Sequence, residues 1–109
     1  MKKESIKLEI ELDDNNMPHK ISWDATDKPV AGAEECKAFM LSMWDKTQKN
    51  TFRIDLWTKE MQVDEMNFFF CQTLVTMAET FSRATNNKDA GKKVIDFANQ
   101  LAQELKLDK

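Results

Sequence analysis

From Ser5 to Asp13 the apolar residues Ile6, Leu8, Ile10 and Leu12 alternate with Lys7, Glu9 and Glu11. That period of two predicts a half-buried strand. Asp13-Asp14-Asn15-Asn16 follows as a turn cluster, because Asx side chains bond nearby amides and tolerate left-handed backbone. A short second strand is expected over about Lys20 to Asp24. Thr26 to Glu35 holds Pro29 and Gly32 and has no apolar period, which predicts a surface loop. Two extended segments, Lys37 to Asp45 and Thr51 to Thr58, are joined by the polar Lys46-Thr47-Gln48-Lys49-Asn50 and predict a hairpin. In its first strand Phe39, Leu41 and Met43 alternate with Ala38, Met40, Ser42 and Trp44. In its second, Phe52, Ile54 and Leu56 alternate with Arg53, Asp55 and Trp57. Both faces of this hairpin carry large apolar groups.

From about Val63 the period lengthens. Met66, Phe70, Leu74, Met77 and Phe81 recur at spacings of three and four, the stripe of a core-facing helix. Asp64 and Glu65 stand where carboxylates favour a helix start, and Thr85-Asn86-Asn87 supplies the break. Lys88 to about Leu107 repeats the pattern with Val94, Phe97, Ala98, Leu101 and Leu105. The order β-β-β-β-α-α, without βαβ alternation, predicts an α+β fold: a four-stranded antiparallel sheet with two C-terminal helices packed on one face. The other face then has no cover from the helices.

A chain of 109 residues is expected to form a single domain, 1–109, with one modest core. Sixteen Lys and Arg against 19 Asp and Glu give a net charge of -3, so nothing draws the chain to nucleic acid. No apolar run reaches the roughly 20 residues that span a bilayer, so membrane insertion is not expected. Met1-Lys2-Lys3-Glu4-Ser5 leads into alternating charged and apolar residues, unlike a secretory signal. With only Cys36 and Cys71 there is no disulfide framework, and the cytoplasm is the expected compartment.

Candidate chemistry is sparse. His19, the one histidine, has no metal-ligand spacing around it and is expected to be a solvated loop residue. Neither cysteine lies in a C-x-x-C or nucleophile motif, which favours buried, small-hydrophobe roles. Gly32 and Gly91 alone cannot build a phosphate cradle. The pairs Asp13-Asp14, Glu34-Glu35 and Asp64-Glu65 suit turns and helix starts better than calcium or acid-base work. No enzyme, cofactor or metal is therefore expected. What remains is one row of the hairpin: Met40, Trp44, Arg53, Asp55 and Trp57. Trp and Arg dominate binding hot spots, so the row is a candidate protein-binding face for a partner or a second copy. The alternative is that Thr26 to Glu35 folds over it and buries both tryptophans as core.

The stretch Thr51-Phe52-Arg53-Ile54-Asp55-Leu56-Trp57-Thr58-Lys59-Glu60-Met61-Gln62-Val63-Asp64-Glu65-Met66 closely resembles the signature of the gliding-motility protein GldC family of the Bacteroidota. Supporting matches are Leu12-Asp13 with Pro18 and Ile21 to Trp23, Ser42-Met43-Trp44-Asp45, Met77-Ala78-Glu79-Thr80, and Ala84-Thr85. The chain departs from the pattern at Gln62, where proline is usual, and in the Thr26 to Glu35 loop. The resemblance implies a non-enzymatic, cytoplasmic accessory of gliding or of a linked secretion apparatus, and the hairpin face would give it a protein partner or self-association into a homo-oligomer. It brings no catalytic residues. A second expectation comes from the strand-then-helix order, which resembles that of the export chaperone SecB, together with seven Met on offer as adaptable apolar surface. That alternative is a holdase for unfolded or export-bound clients.

Overall fold

A computed structural model of the chain describes residues 1–107, which fall into two compact units, Met1–Met61 and the residues from Gln62 onward. The first unit is all β: β1 (Ile6–Leu12), β2 (Pro18–Ala25), β3 (Glu34–Cys36), β4 (Ala38–Trp44) and β5 (Thr51–Trp57). The second is a helical hairpin of α1 (Val63–Thr85) and α2 (Lys88–Glu104). The α+β class and the two C-terminal helices match the expectation. The single four-stranded sheet does not: the strands form a three-stranded sheet ordered β1-β2-β3 and a two-stranded sheet of β4 and β5, all antiparallel. The extra strand, β3, lies at the end of the segment expected to be loop. Its three residues, Glu34-Glu35-Cys36, are too few to show a period, and backbone pairing with Ile21, Ser22 and Trp23 places them. Lys37 alone separates β3 from β4, so the chain passes directly from one sheet to the other.

The core of the three-stranded sheet centres on Ile21, in the middle strand opposite Ile10 of β1 and Cys36 of β3, with no exposed surface. Leu8 and Ile10 are half-buried as the alternation predicts, whereas Ile6 and Leu12 at the strand ends are exposed, Leu12 beyond a register shift at Glu11/Leu12. The turn after β1 is built around Asp13. Its Oδ1 accepts from the amides of Asn15 (2.8 Å) and Met17 (3.0 Å), and Asn16 takes the left-handed backbone, φ 62°. Its Oδ2 meets Lys59 Nζ at 2.6 Å, clamping the turn to the segment that follows β5.

Lys59 and the Met17 amide, with a smaller share from Asn15, hold the Asp13 carboxyl down at about 2. Because that lies below the ordinary carboxylate value of about 3.9, the charged clamp stabilises the fold above about pH 4. It is lost as pH falls through about 2. Asp13→Asn is therefore expected to be less stable than wild type at pH 7 and to converge with it near pH 2 in urea unfolding. An equal gap at both pH values would contradict the clamp.

In the second unit Gln62 N donates to Glu65 Oε1 at 3.0 Å, a bond proline at this position could not make. Asn86, with φ 57°, ends α1, and Asn87 Oδ1 caps α2 by accepting from Ala90 N at 3.1 Å. So short a link makes the helices antiparallel neighbours. They meet through small residues, Cys71 and Ala78 of α1 against Gly91 and Ala98 of α2, all buried. A Cβ on Gly91 would lie 1.8 Å from Ser82 Oγ and 3.1 Å from the Ala78 carbonyl oxygen. Ser82 can rotate away, but the backbone oxygen cannot. A branched side chain is therefore expected to push the helices apart, Gly91→Val lowering stability by about 1–3 kcal/mol in denaturant melts followed by circular dichroism. No loss in those melts would mean that the helices do not approach so closely.

Candidate functional site

The register of the β4–β5 hairpin decides which side chains share a face. Ala38 pairs with Trp57, Met40 with Asp55, Ser42 with Arg53 and Trp44 with Thr51, so Met40, Trp44, Arg53, Asp55 and Trp57 all project to one side. At its centre Arg53 forks onto Asp55, Nη2 to Oδ1 at 2.8 Å and Nε to Oδ2 at 3.1 Å, while its Nη1 donates to Ser42 Oγ. This bidentate geometry fixes a planar polar patch between two apolar ends. Trp44 at one end is 68% exposed and Trp57 at the other 57%.

The loop from Thr26 does not cover these tryptophans. It turns back on the three-stranded sheet, where Lys28 Nζ stands 5.4 Å from the Trp23 ring centroid and 3.0 Å from Glu34 Oε2, and also donates to the Val30 carbonyl. Lys28 thus trades water for a cation-π contact, a carboxylate and a backbone oxygen. Burial of both tryptophans beneath the Thr26 to Glu35 loop is overturned.

Two features of the hairpin go beyond the five residues read from the sequence. Met17 and Pro18, leaving the clamped Asp13 turn, sit beside Asp55, Leu56 and Trp57 and complete a shallow hollow of about 220 Å³ at the Trp57 end. No local pattern marks them, since the tertiary Asp13–Lys59 bridge draws that turn toward the segment after β5. The opposite face pairs Phe39 with Leu56, Leu41 with Ile54 and Met43 with Phe52, six apolar side chains without a polar one. It too is incompletely covered: Phe52 is 58% exposed, and Ile54 and Met43 are exposed as well.

The helical hairpin shows the same excess. The stripe Met66, Phe70, Leu74, Met77 and Phe81 is turned about 100° from the Cys71–Ala78 line that faces α2. Phe70, Met77 and Phe81 are exposed, as is Phe97 of α2 at 58%. From Met66 to Ser82 the one charged residue is Glu79. Helices this apolar on more than one side are ordinarily covered on each.

The remaining candidates carry no assembled chemistry. His19 is exposed but lies within β2 rather than in a loop, because pairing with β1 extends the strand to Pro18. Cys71 is buried. Cys36 is half-buried, and burial pushes its thiol up, away from the reactive thiolate. Among the described residues, no three His, Cys, Asp or Glu side chains gather as a metal site would require, and no helix is long and apolar enough to cross a membrane.

Comparison with known proteins gives one result of weight. The family model described as gliding motility-associated protein GldC-like matches residues 18–107, while no curated protein and no solved structure matches. The matched span takes in β2 through α2, including every residue of the Trp44–Trp57 face. The chain belongs to the GldC-like family of gliding motility-associated proteins.

Proposed function

We propose that residues 1–109 act as one GldC-like domain, a non-enzymatic cytoplasmic accessory of gliding motility that works by binding protein through the β4–β5 hairpin. The observation that carries this is the exposure of Trp44 and Trp57 on one face, with the Arg53–Asp55 fork between them. Exposed tryptophans lose water on docking, and the fork supplies orientation through directed polar contacts. The partner is a motility or secretion component, or a second copy of the chain. In gliding cells whose copy carries Trp44→Ala and Trp57→Ala, spreading is expected to fall to the level of a deletion while the amount of folded protein is unchanged. Normal spreading of such cells would refute the role of this face.

The exposed, almost charge-free helical face favours a second reading, a SecB-like holdase for unfolded or export-bound clients. It differs in its readout. A holdase binds many denatured proteins weakly and loses that binding when Phe70 and Phe97 become Ser, whereas an accessory with one partner is indifferent to denatured clients.

A further inference from the structure

We infer that the outer edge of β5 pairs antiparallel with β5 of a second copy, about a two-fold axis through Ile54, making a four-stranded sheet ordered β4-β5-β5-β4. The pairing rests on the hairpin binding proposed above and names its occupant.

The outer edge of β5 makes no strand pair among the described residues and is in phase. Among the described residues β5 has β4 as its one hydrogen-bonded strand neighbour. The hairpin is bracketed by Asp45 N→Asn50 O at 2.9 Å and Thr58 N→Lys37 O at 2.8 Å. Bonded and non-bonded pairs alternate along an antiparallel ladder. Phe52, Ile54 and Leu56 therefore turn their amides and carbonyls toward β4, and Thr51, Arg53, Asp55 and Trp57 turn theirs outward. A regular seven-residue edge without proline is a template for another strand.

The side chains select the occupant and the register. With Ile54 opposite Ile54 of the second copy, Arg53 lies opposite Asp55 of that copy and Asp55 opposite its Arg53. Both are hydrogen-bonded positions. Phe52 meets Leu56, and Thr51 meets Trp57. The charge pattern is thus its own complement under a two-fold, as an isologous contact requires. A centre at Arg53 or Asp55 sets like charges face to face, and a centre at Phe52 or Leu56 leaves Arg53 without an opposed carboxylate. The uncharged β4 edge offers no such selection. In the Ile54 register all six apolar side chains of each hairpin join one continuous face, and Trp57 of one copy lies two strands from Trp44 of the other, with Thr51 between them.

Charge inversion tests the pairing. Arg53→Asp leaves two acids on the edge and Asp55→Arg leaves two bases, so each variant repels its own copy and complements the other. Light scattering is expected to give wild type at twice the 12.7 kDa chain mass. Each variant alone should sit at the single-chain mass, its dissociation constant weakened by at least about tenfold, and an equimolar mixture should return to the doubled mass. The fork within each chain is broken in both variants, so recovery in the mixture isolates the contact between chains. A mixture that stays monomeric, or a wild-type monomer, would overturn the pairing. Single variants that remain dimeric would overturn it too, yet leave the Trp44–Trp57 face standing, since that face is judged by the tryptophan variant. Should a variant fail to fold, amide exchange on wild type decides: Arg53 and Asp55 are protected in the dimer and lose protection on dilution, and fast exchange at high concentration contradicts the pairing.

Discussion

Replacing Ile21 by alanine is expected to cost about 2–5 kcal/mol and to unfold much of the β unit at neutral pH. Among the described residues Ile21 is the largest side chain with no exposed surface, and it sits where β1, β2 and β3 converge on Ile10 and Cys36. A unit as long as Met1–Met61 holds only about 3–9 kcal/mol of net stability at ordinary per-residue values. One cavity therefore removes a large share of it. Urea unfolding of wild type and variant gives the difference directly. A loss below about 1 kcal/mol would mean that the surrounding strands collapse onto the gap and that Ile21 is not the centre of this core.

The second large effect has the opposite signature. Trp44 and Trp57 are mostly exposed, so truncating both to alanine should change folding stability by no more than about 1 kcal/mol in total. Their effect on association is far larger. Tryptophans buried in an interface contribute about 2 kcal/mol or more each, and a combined 4 kcal/mol weakens a complex by roughly a thousandfold. A double variant that melts like wild type but no longer associates would separate binding from folding in one experiment. Trp23, packed under Lys28, stays as a fluorescent reporter of the fold.

Much of this arrangement is legible in the sequence, and the exceptions share a physical cause. Strands β1, β4 and β5 and both helices declare themselves because long runs keep one period. The five residues of the candidate face follow from the period of two once the hairpin is seen. Strand β3 is invisible because three residues cannot display a period and its partners are backbone groups of β2. The break at Lys37, which divides the strands into two sheets, has no residue signature of its own. Helix α1 is the most instructive case. The large residues Met66, Phe70, Met77 and Phe81 mark the most apolar stripe, yet the face that meets α2 is the line of Cys71 and Ala78. Close helix packing selects small side chains, whereas a hydrophobic stripe is weighed by large ones. Within the helical hairpin, the stripe that reads as core is not the face that meets α2. Met17 and Pro18 join the Trp57 end through the Asp13–Lys59 bridge, a contact between residues far apart in the chain.

The central claim is that Trp44 and Trp57 form an association surface and not a core. Solution mass by light scattering, on wild type and on the double alanine variant with circular dichroism alongside, tests it most directly. The expected result is a wild type at twice the 12.7 kDa chain mass and a variant that is folded at the single-chain mass. A monomeric wild type together with an unfolded variant would show that the tryptophans are core and contradict the claim.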